Sequence, residues 1–245
     1  MLLLRALRTV SLWTGLVWVW AMLACAVAWG GWGDGSGAVP MSQWQALLDW
    51  QPSLWPAQPW RAWSAGLVHW SAAHLGLNLL ACGALIAWGH AVALGRRYAL
   101  AWLAAWPLTH ILLVAWPGLR HYGGLSGMLH AGVAIGAWAL LCHGRGQRRW
   151  VGAWVLAGLA LKLVLELPAW PQGLTLVPGL QVAAQPLVGA PGFKVASVAH
   201  ASGAFSGLLC AALLDLVHRW ARRMRGSRTA FTASAKTSGK RRPDD

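Results

Sequence analysis

The sequence predicts an all-α polytopic membrane protein, a bundle of six transmembrane helices, and three observations carry that prediction. Hydrophobic residues fill 57% of the 245 positions and charged residues only 11%, too few to clothe a soluble surface of this size. The apolar residues gather into six runs, each near the roughly 20 residues that a helix needs to cross the hydrocarbon core. Sixteen of the twenty Lys and Arg residues fall on one side when those runs are threaded back and forth, which sets both termini in the cytoplasm. The formal net charge of +14 is therefore topology arithmetic rather than a groove for phosphates, and no nucleic-acid partner is expected.

Residues 1–10 read as a short cytoplasmic N-terminus carrying Arg5 and Arg8. The first run, Ser11 to Gly30, has the basic start of a signal peptide. Its length of nearly 20 residues, and the further runs behind it, favour a retained span. A polar interlude follows to Ala65. Its Trp44, Trp50, Trp55, Trp60 and Trp63 suit the headgroup zone, and Met41 to Trp50 predicts a short helix along the surface. The second span, Gly66 to Leu94, carries His69, His74 and Asn78, the last two four apart and so on one face. Arg96 and Arg97 close it. The third runs from Tyr98 to Trp116 through Pro107, and the fourth from Gly123 to Cys142, ending in the basic loop 143–149.

The fifth span, Trp150 to Leu167, places Lys162 and Glu166 as an i,i+4 pair, read as a structural ion pair because a lone charge in lipid is costly. Residues 169–193 hold four prolines and almost no charge, a loop expected to gate an outer cavity. The sixth span, Lys194 to Val217, completes a membrane domain over 11–217. The basic tail, 218–245, turns rich in Ser, Thr and Lys after Gly226 and is expected to be disordered. The four cysteines lie in apolar runs with no C-x-x-C spacing, so no disulfide, metal site or cofactor is expected. The tryptophans are expected mostly against lipid or in the interfacial belt.

Chemistry enters at Gly123-Gly124-Leu125-Ser126-Gly127. Glycines around a serine at the mouth of a span let another backbone approach and present the hydroxyl into a gap. The motif alone is weak. Its support is depth: spans two, four and six all start on the outer side, and His74, Asn78, Ser126 and His200 all lie within their first turns. Polar groups there are expensive unless they face protein or water. Ser126 is thus the candidate nucleophile and His200 its candidate base. No carboxylate is expected beside them: Asp34 and Asp49 fall in the outer loop, and Glu166 faces Lys162. The expected site is a Ser–His dyad, with His74, the Asn78 amide and the N–H of Ser126 as donors to an oxyanion. His90, His110, His121, His143 and His218 are assigned packing or interface contacts.

These residues together resemble the rhomboid family of intramembrane serine proteases. The matches are Trp60-Arg61, then His69, His74 and Asn78 at H-x4-H-x3-N spacing, Gly124-Leu125-Ser126-Gly127, and Ala199-His200 followed by Gly203 and Gly207. The resemblance implies a six-helix rhomboid-like bundle, Ser126 as nucleophile, His200 as base, and His74 and Asn78 as oxyanion stabilisers supported by Gly124 and Gly127. It implies that Gly203 and Gly207 let the sixth helix pack closely on the fourth, and that His69, Trp60 and Arg61 are structural.

One position departs from the pattern: the tyrosine that the family places four residues after the serine, stacked on the histidine, is His130 here. That leaves His130 either orienting His200 or filling the tyrosine's space. The string Gly-Gly-Leu-Ser-Gly-x-Leu-His resembles the rhombosortase branch, whose substrates carry a C-terminal Gly-Gly, membrane-helix and basic-cluster sorting signal. Implied partners are the lipid bilayer and membrane-anchored protein substrates cut near their anchor. The implied location is a bacterial inner membrane with the site towards the periplasm. The oligomeric state is open. Two rival readings stand beside this one: a non-catalytic rhomboid-like protein that binds membrane clients, and a haem or quinone carrier prompted by the nine histidines.

Overall fold

The computed structural model describes residues 11–29, 43–116, 119–166 and 195–238. The gating loop expected over 169–193, the N-terminus 1–10 and Asp34 lie outside the described residues. The chain is helical: α1 (Leu12–Trp29), α2 (Gln43–Leu48), α3 (Arg61–Ser64), α4 (Ala72–Val92), α5 (Arg96–Ile111), α6 (Ser126–His143), α7 (Gln147–Leu165) and α8 (Val195–Ser238). Single 3-10 turns cover Pro52–Leu54, Ala65–Leu67 and Leu112–Ala115. Among the described residues there is no strand, only an isolated antiparallel bridge between Trp50 and Tyr122.

Five helices are long and apolar enough to cross a membrane, over Leu12–Trp29, Ala72–Val92, Arg96–Ala115, Ser126–His143 and Ser197–Met224. The predicted fifth span is not among them. It forms as α7, but Arg148 and Arg149 stand in its first turn and Lys162 near its end. Its uncharged stretch runs from Trp150 to Leu161.

The second span also starts later than the expected Gly66. The Ser71 side chain accepts from the His74 N–H at 3.1 Å and caps α4, so residues 68–71 stay outside the helix and His69 lies before it. Pro107 is accommodated within α5, which tightens into a 3-10 turn beyond Ile111.

The chain divides into two compact units, Met1–Ala211 and Ala212–Asp245. In the first, α6 is central and packs on α4, α5 and α7, while α1 packs on α4 and α5. Lipid offers no hydrophobic drive between helices, so close contact between small residues and specific hydrogen bonds must hold them. Gly132 of α6 receives the Trp102 ring and Gly136 receives Trp88, each too close to admit a Cβ. Trp102 stacks on Trp13 at 4.0 Å between ring centroids and meets the Trp20 ring edge-on at 4.4 Å. Its indole N–H donates to the Met128 carbonyl at 2.7 Å, and that of Trp13 to the Leu85 carbonyl at 3.0 Å.

Trp13, Trp20, Trp50 and Trp102 are fully buried, exceptions to the expectation that the tryptophans mostly face lipid or the interfacial belt. An indole that can reach a carbonyl is a large core residue as readily as a belt residue. Trp18, Trp29, Trp150 and Trp154 do lie exposed. In the second unit the described residues are helical to Ser238, past Gly226, where composition predicts an unstructured tail. Alanine, arginine and lysine in that stretch carry good helix propensity.

Candidate active site

The turn that presents Ser126 is anchored before it begins. Trp50 and Tyr122 exchange backbone hydrogen bonds at 2.7 and 2.9 Å, and the Gly124 N–H donates to the Ala65 carbonyl at 3.0 Å. The segment 43–71 is thereby stitched to residues 122–124. That segment has its own knot. Asp49, fully buried, accepts through Oδ1 from Arg61 at 2.8 Å and from Gln51 at 2.8 Å, and through Oδ2 meets His121 Nδ1 at 2.6 Å. Arg61 also donates to the carbonyls of Ala46 and Asp49 and to the Gln58 amide oxygen. Burial pushes the Asp49 carboxyl above the usual carboxylate range, against the pull of Gln51, His121 and Arg61. Trp60 lies half exposed, its indole N–H on the Leu47 carbonyl at 3.4 Å.

Gly124 has φ +126°, a conformation open to glycine, and a Cβ there would stand 2.8 Å from His74 Cε1 and 2.9 Å from its Nε2. The glycine is thus required twice, by its backbone and by the imidazole against it. Asn78 sits in the same niche, its amide 3.9 Å from that Cβ position. One N–H of the Asn78 amide donates to the His74 carbonyl at 3.0 Å, leaving the second for another acceptor. The His74 Nδ1 is buried without a partner among the described residues.

His69 stacks at a tilt on His74, centroids 4.9 Å apart, and its ring Nδ1–H donates to the Leu67 carbonyl at 3.1 Å. Its link to α2 runs through its own carbonyl, which accepts from Gln45 at 3.0 Å. Burial, then the neighbouring His74, lowers the His69 imidazole to about 4.

Ser126 opens α6, with no side-chain cap on that helix end. The Tyr122 hydroxyl beside this turn donates to the Gly124 carbonyl at 3.2 Å. Burial raises the Tyr122 phenol above its ordinary value, while the bonds to Ser126 and Gly127 pull it back.

His200 comes from α8, held against α6 by two glycines. A Cβ at Gly203 would collide with the Gly127 carbonyl, and one at Gly207 would stand 2.8 Å from Ala131 Cα. Gly127 in turn lies under the Ala199 carbonyl, 2.9 Å from where its own Cβ would be. His130 completes the junction. Its Nδ1–H donates to the Ser126 carbonyl at 2.7 Å, and its ring stacks on His200 with centroids 4.0 Å apart and planes 17° from parallel. The His130 ring thus lies face to face with the candidate base, one turn along α6 from Ser126.

The expectation that no carboxylate stands near the base is corrected here. Glu166 Oε2 lies 2.8 Å from His200 Nδ1, while its Oε1 binds Lys162. The i,i+4 pair forms, but it is not only an ion pair. Glu166 caps the C-terminus of α7 at the same end of the bundle as His200, and the depth arithmetic applied to the histidines would have found it. Tyr122 was also overlooked, although it stands four residues before the serine.

The structure thus gathers Ser126, Gly124, Gly127, His130, His200, His74 and Asn78 around one turn, with Glu166 and Tyr122 added. A hydroxyl, an imidazole whose Nδ1 faces a carboxylate, and amide and imidazole donors beside a glycine turn can together support attack on a carbonyl. No protein-family model matches this chain, and no curated protein is significantly similar to it in sequence.

Proposed function

We propose that the protein is an intramembrane serine endopeptidase of the rhomboid type, most like the rhombosortase branch, in which Ser126 attacks and His200 carries the proton. The observation that carries this reading is the His200 ring stacked on His130, which itself grips the Ser126 carbonyl. A bilayer protein tolerates such a gathering of polar groups only around a wet cavity. The Ser126 oxygen adds to the scissile carbonyl and passes its proton to His200. The oxyanion is received by the Asn78 amide, the His74 ring and the backbone at the start of α6. His200 then protonates the departing amine, and water releases the acyl group.

In this reading α7 joins the five apolar helices to make a six-helix bundle in a bacterial inner membrane. Both termini are cytoplasmic and the site opens towards the periplasm. The substrate is a membrane-anchored protein cut beside its anchor, where glycines loosen the helix.

The test is reconstitution of the purified protein in liposomes with a single-span reporter carrying a Gly-Gly motif before its anchor. A shortened reporter is expected with the wild type and none with Ser126→Ala or His200→Ala. Equal cleavage by all three would remove the reading, and binding without cleavage by all three would favour a client-binding protein.

A further inference from the structure

Glu166 is placed to do to His200 what an orienting carboxylate does in soluble serine hydrolases. Imidazole can carry its proton on either ring nitrogen, and only the form with Nδ1–H leaves Nε2 with the lone pair a base requires. Two groups approach Nδ1: Glu166 Oε2 at 2.8 Å and Lys162 Nζ at 3.5 Å. The ammonium has no lone pair to accept the ring proton and stands at the far limit of a hydrogen bond, whereas the carboxylate is an acceptor at full bonding distance. The proton therefore sits on Nδ1 and Nε2 is free.

Lys162 has a separate part. It holds Oε1 of the same carboxylate, so the acid is gripped from one side and presents its other oxygen to the ring. His130 covers the face of His200, which leaves the ring fixed by a stack on its plane and a bond at its edge.

Resting on the serine-protease reading above, we propose that Glu166 is a positioning residue that completes a Ser126–His200–Glu166 triad, with Lys162 holding the acid. As Ser126 Oγ bonds to the carbonyl carbon, the carbonyl π pair moves to oxygen and the serine proton moves to His200 Nε2. The imidazolium keeps its Nδ1 proton, which stays hydrogen-bonded to an ionised Glu166. The Nε2 proton passes to the amine as the C–N bond breaks. In the second half, water gives a proton to Nε2 as its oxygen bonds to the acyl carbon, and that proton returns to Ser126 Oγ as the ester breaks.

The experiment compares the full chain with Glu166→Gln and Glu166→Asp, reading the rate of fluorophosphonate labelling and of reporter cleavage in liposomes. The amide of Glu166→Gln keeps the size but can donate to Nδ1, which drives the ring to the wrong tautomer. Labelling and kcat should fall by about 10²–10³ with KM little changed, and Glu166→Asp should recover part of the loss.

A side chain needed only for packing would instead lower the folded yield and leave the rate per folded molecule intact. Glu166→Gln within about threefold of wild type, against a reactive wild type, overturns this proposal alone. A wild type no more reactive than Ser126→Ala overturns the serine reading, and this proposal with it. Should Glu166→Gln not fold, ¹⁵N-histidine spectra of folded Ser126→Ala decide the matter. A proton on His200 Nδ1 supports the triad, and one on Nε2 overturns it.

Discussion

Two carboxylates in this molecule are held in nearly the same way. Asp49 gives one oxygen to Arg61 and the other to Nδ1 of His121; Glu166 gives one oxygen to Lys162 and the other to Nδ1 of His200. The difference lies in where each knot stands. Asp49 and Arg61 are sealed within the segment 43–71, with side chains 0% and 5% exposed, whereas Glu166 and Lys162 are 30% and 45% exposed. A sealed pair strongly destabilises the fold when broken, because the surviving charge is stranded away from water. A half-open pair contributes little to stability. Its value must then come from what it does to the imidazole it touches, and only His200 of the two histidines stacks on the ring that grips the serine's turn. The same triad of groups reads as a rivet in one place and as part of a reactive site in the other.

That contrast can be broken most directly by exchanging the two amide substitutions. Asp49→Asn should cost about 3–5 kcal/mol of stability and leave the labelling rate of each folded molecule unchanged. Glu166→Gln should do the reverse. Thermal melts in detergent beside labelling kinetics separate the two, and a rate defect confined to Asp49→Asn would invert the assignment. Arg61→Ala should destabilise by a similar amount, since it leaves the buried Asp49 carboxylate without its cation, whereas Lys162→Ala should cost under about 1 kcal/mol.

The pH dependence of stability sharpens the comparison on the side of the segment 43–71. His69 stays neutral in the fold down to about pH 4, while an exposed histidine takes a proton near 6.5. Between those values the unfolded chain binds more protons, so stability is full above about 6.5 and falls as pH drops towards 4, by roughly 3 kcal/mol. Melts of the wild type against His69→Gln across that window should diverge; parallel curves would contradict the buried neutral ring. A smaller effect is expected at the α6–α8 contact. Gly207→Ala must push the helices apart at Ala131 and should cost about 1–3 kcal/mol, read from the same melts.

Much of this was legible in the sequence because it follows from local rules. The apolar runs at 12–29, 72–92, 96–115 and 126–143 are helices, and glycines at 203 and 207 mark the face on which α8 meets α6. Counting turns sets His74, Asn78, Ser126 and His200 at one depth, and i+4 spacing puts His130 under Ser126. What could not be counted was direction. Lys162 and Glu166 predict their own pairing from i,i+4 spacing, but a carboxylate has two oxygens, and the second is spent across the bundle on a residue 34 positions away. The start of α4 was misplaced because hydropathy does not register the Ser71 cap. The burial of Trp13 and Trp102 is not legible in the sequence because an indole suits either lipid or a core, and the choice rests on a carbonyl partner that only the folded chain supplies. The fifth run forms as α7, and Arg148, Arg149 and Lys162 set it apart from the five apolar helices.

The account rests on the Ser126 hydroxyl being made reactive by His200. Labelling the full chain with a fluorophosphonate and locating the adduct by peptide mass spectrometry tests this most directly. The account predicts a single adduct on Ser126, absent in Ser126→Ala and lost or nearly lost in His200→Ala. A wild type that takes no label, or a label that persists in both variants, would contradict it.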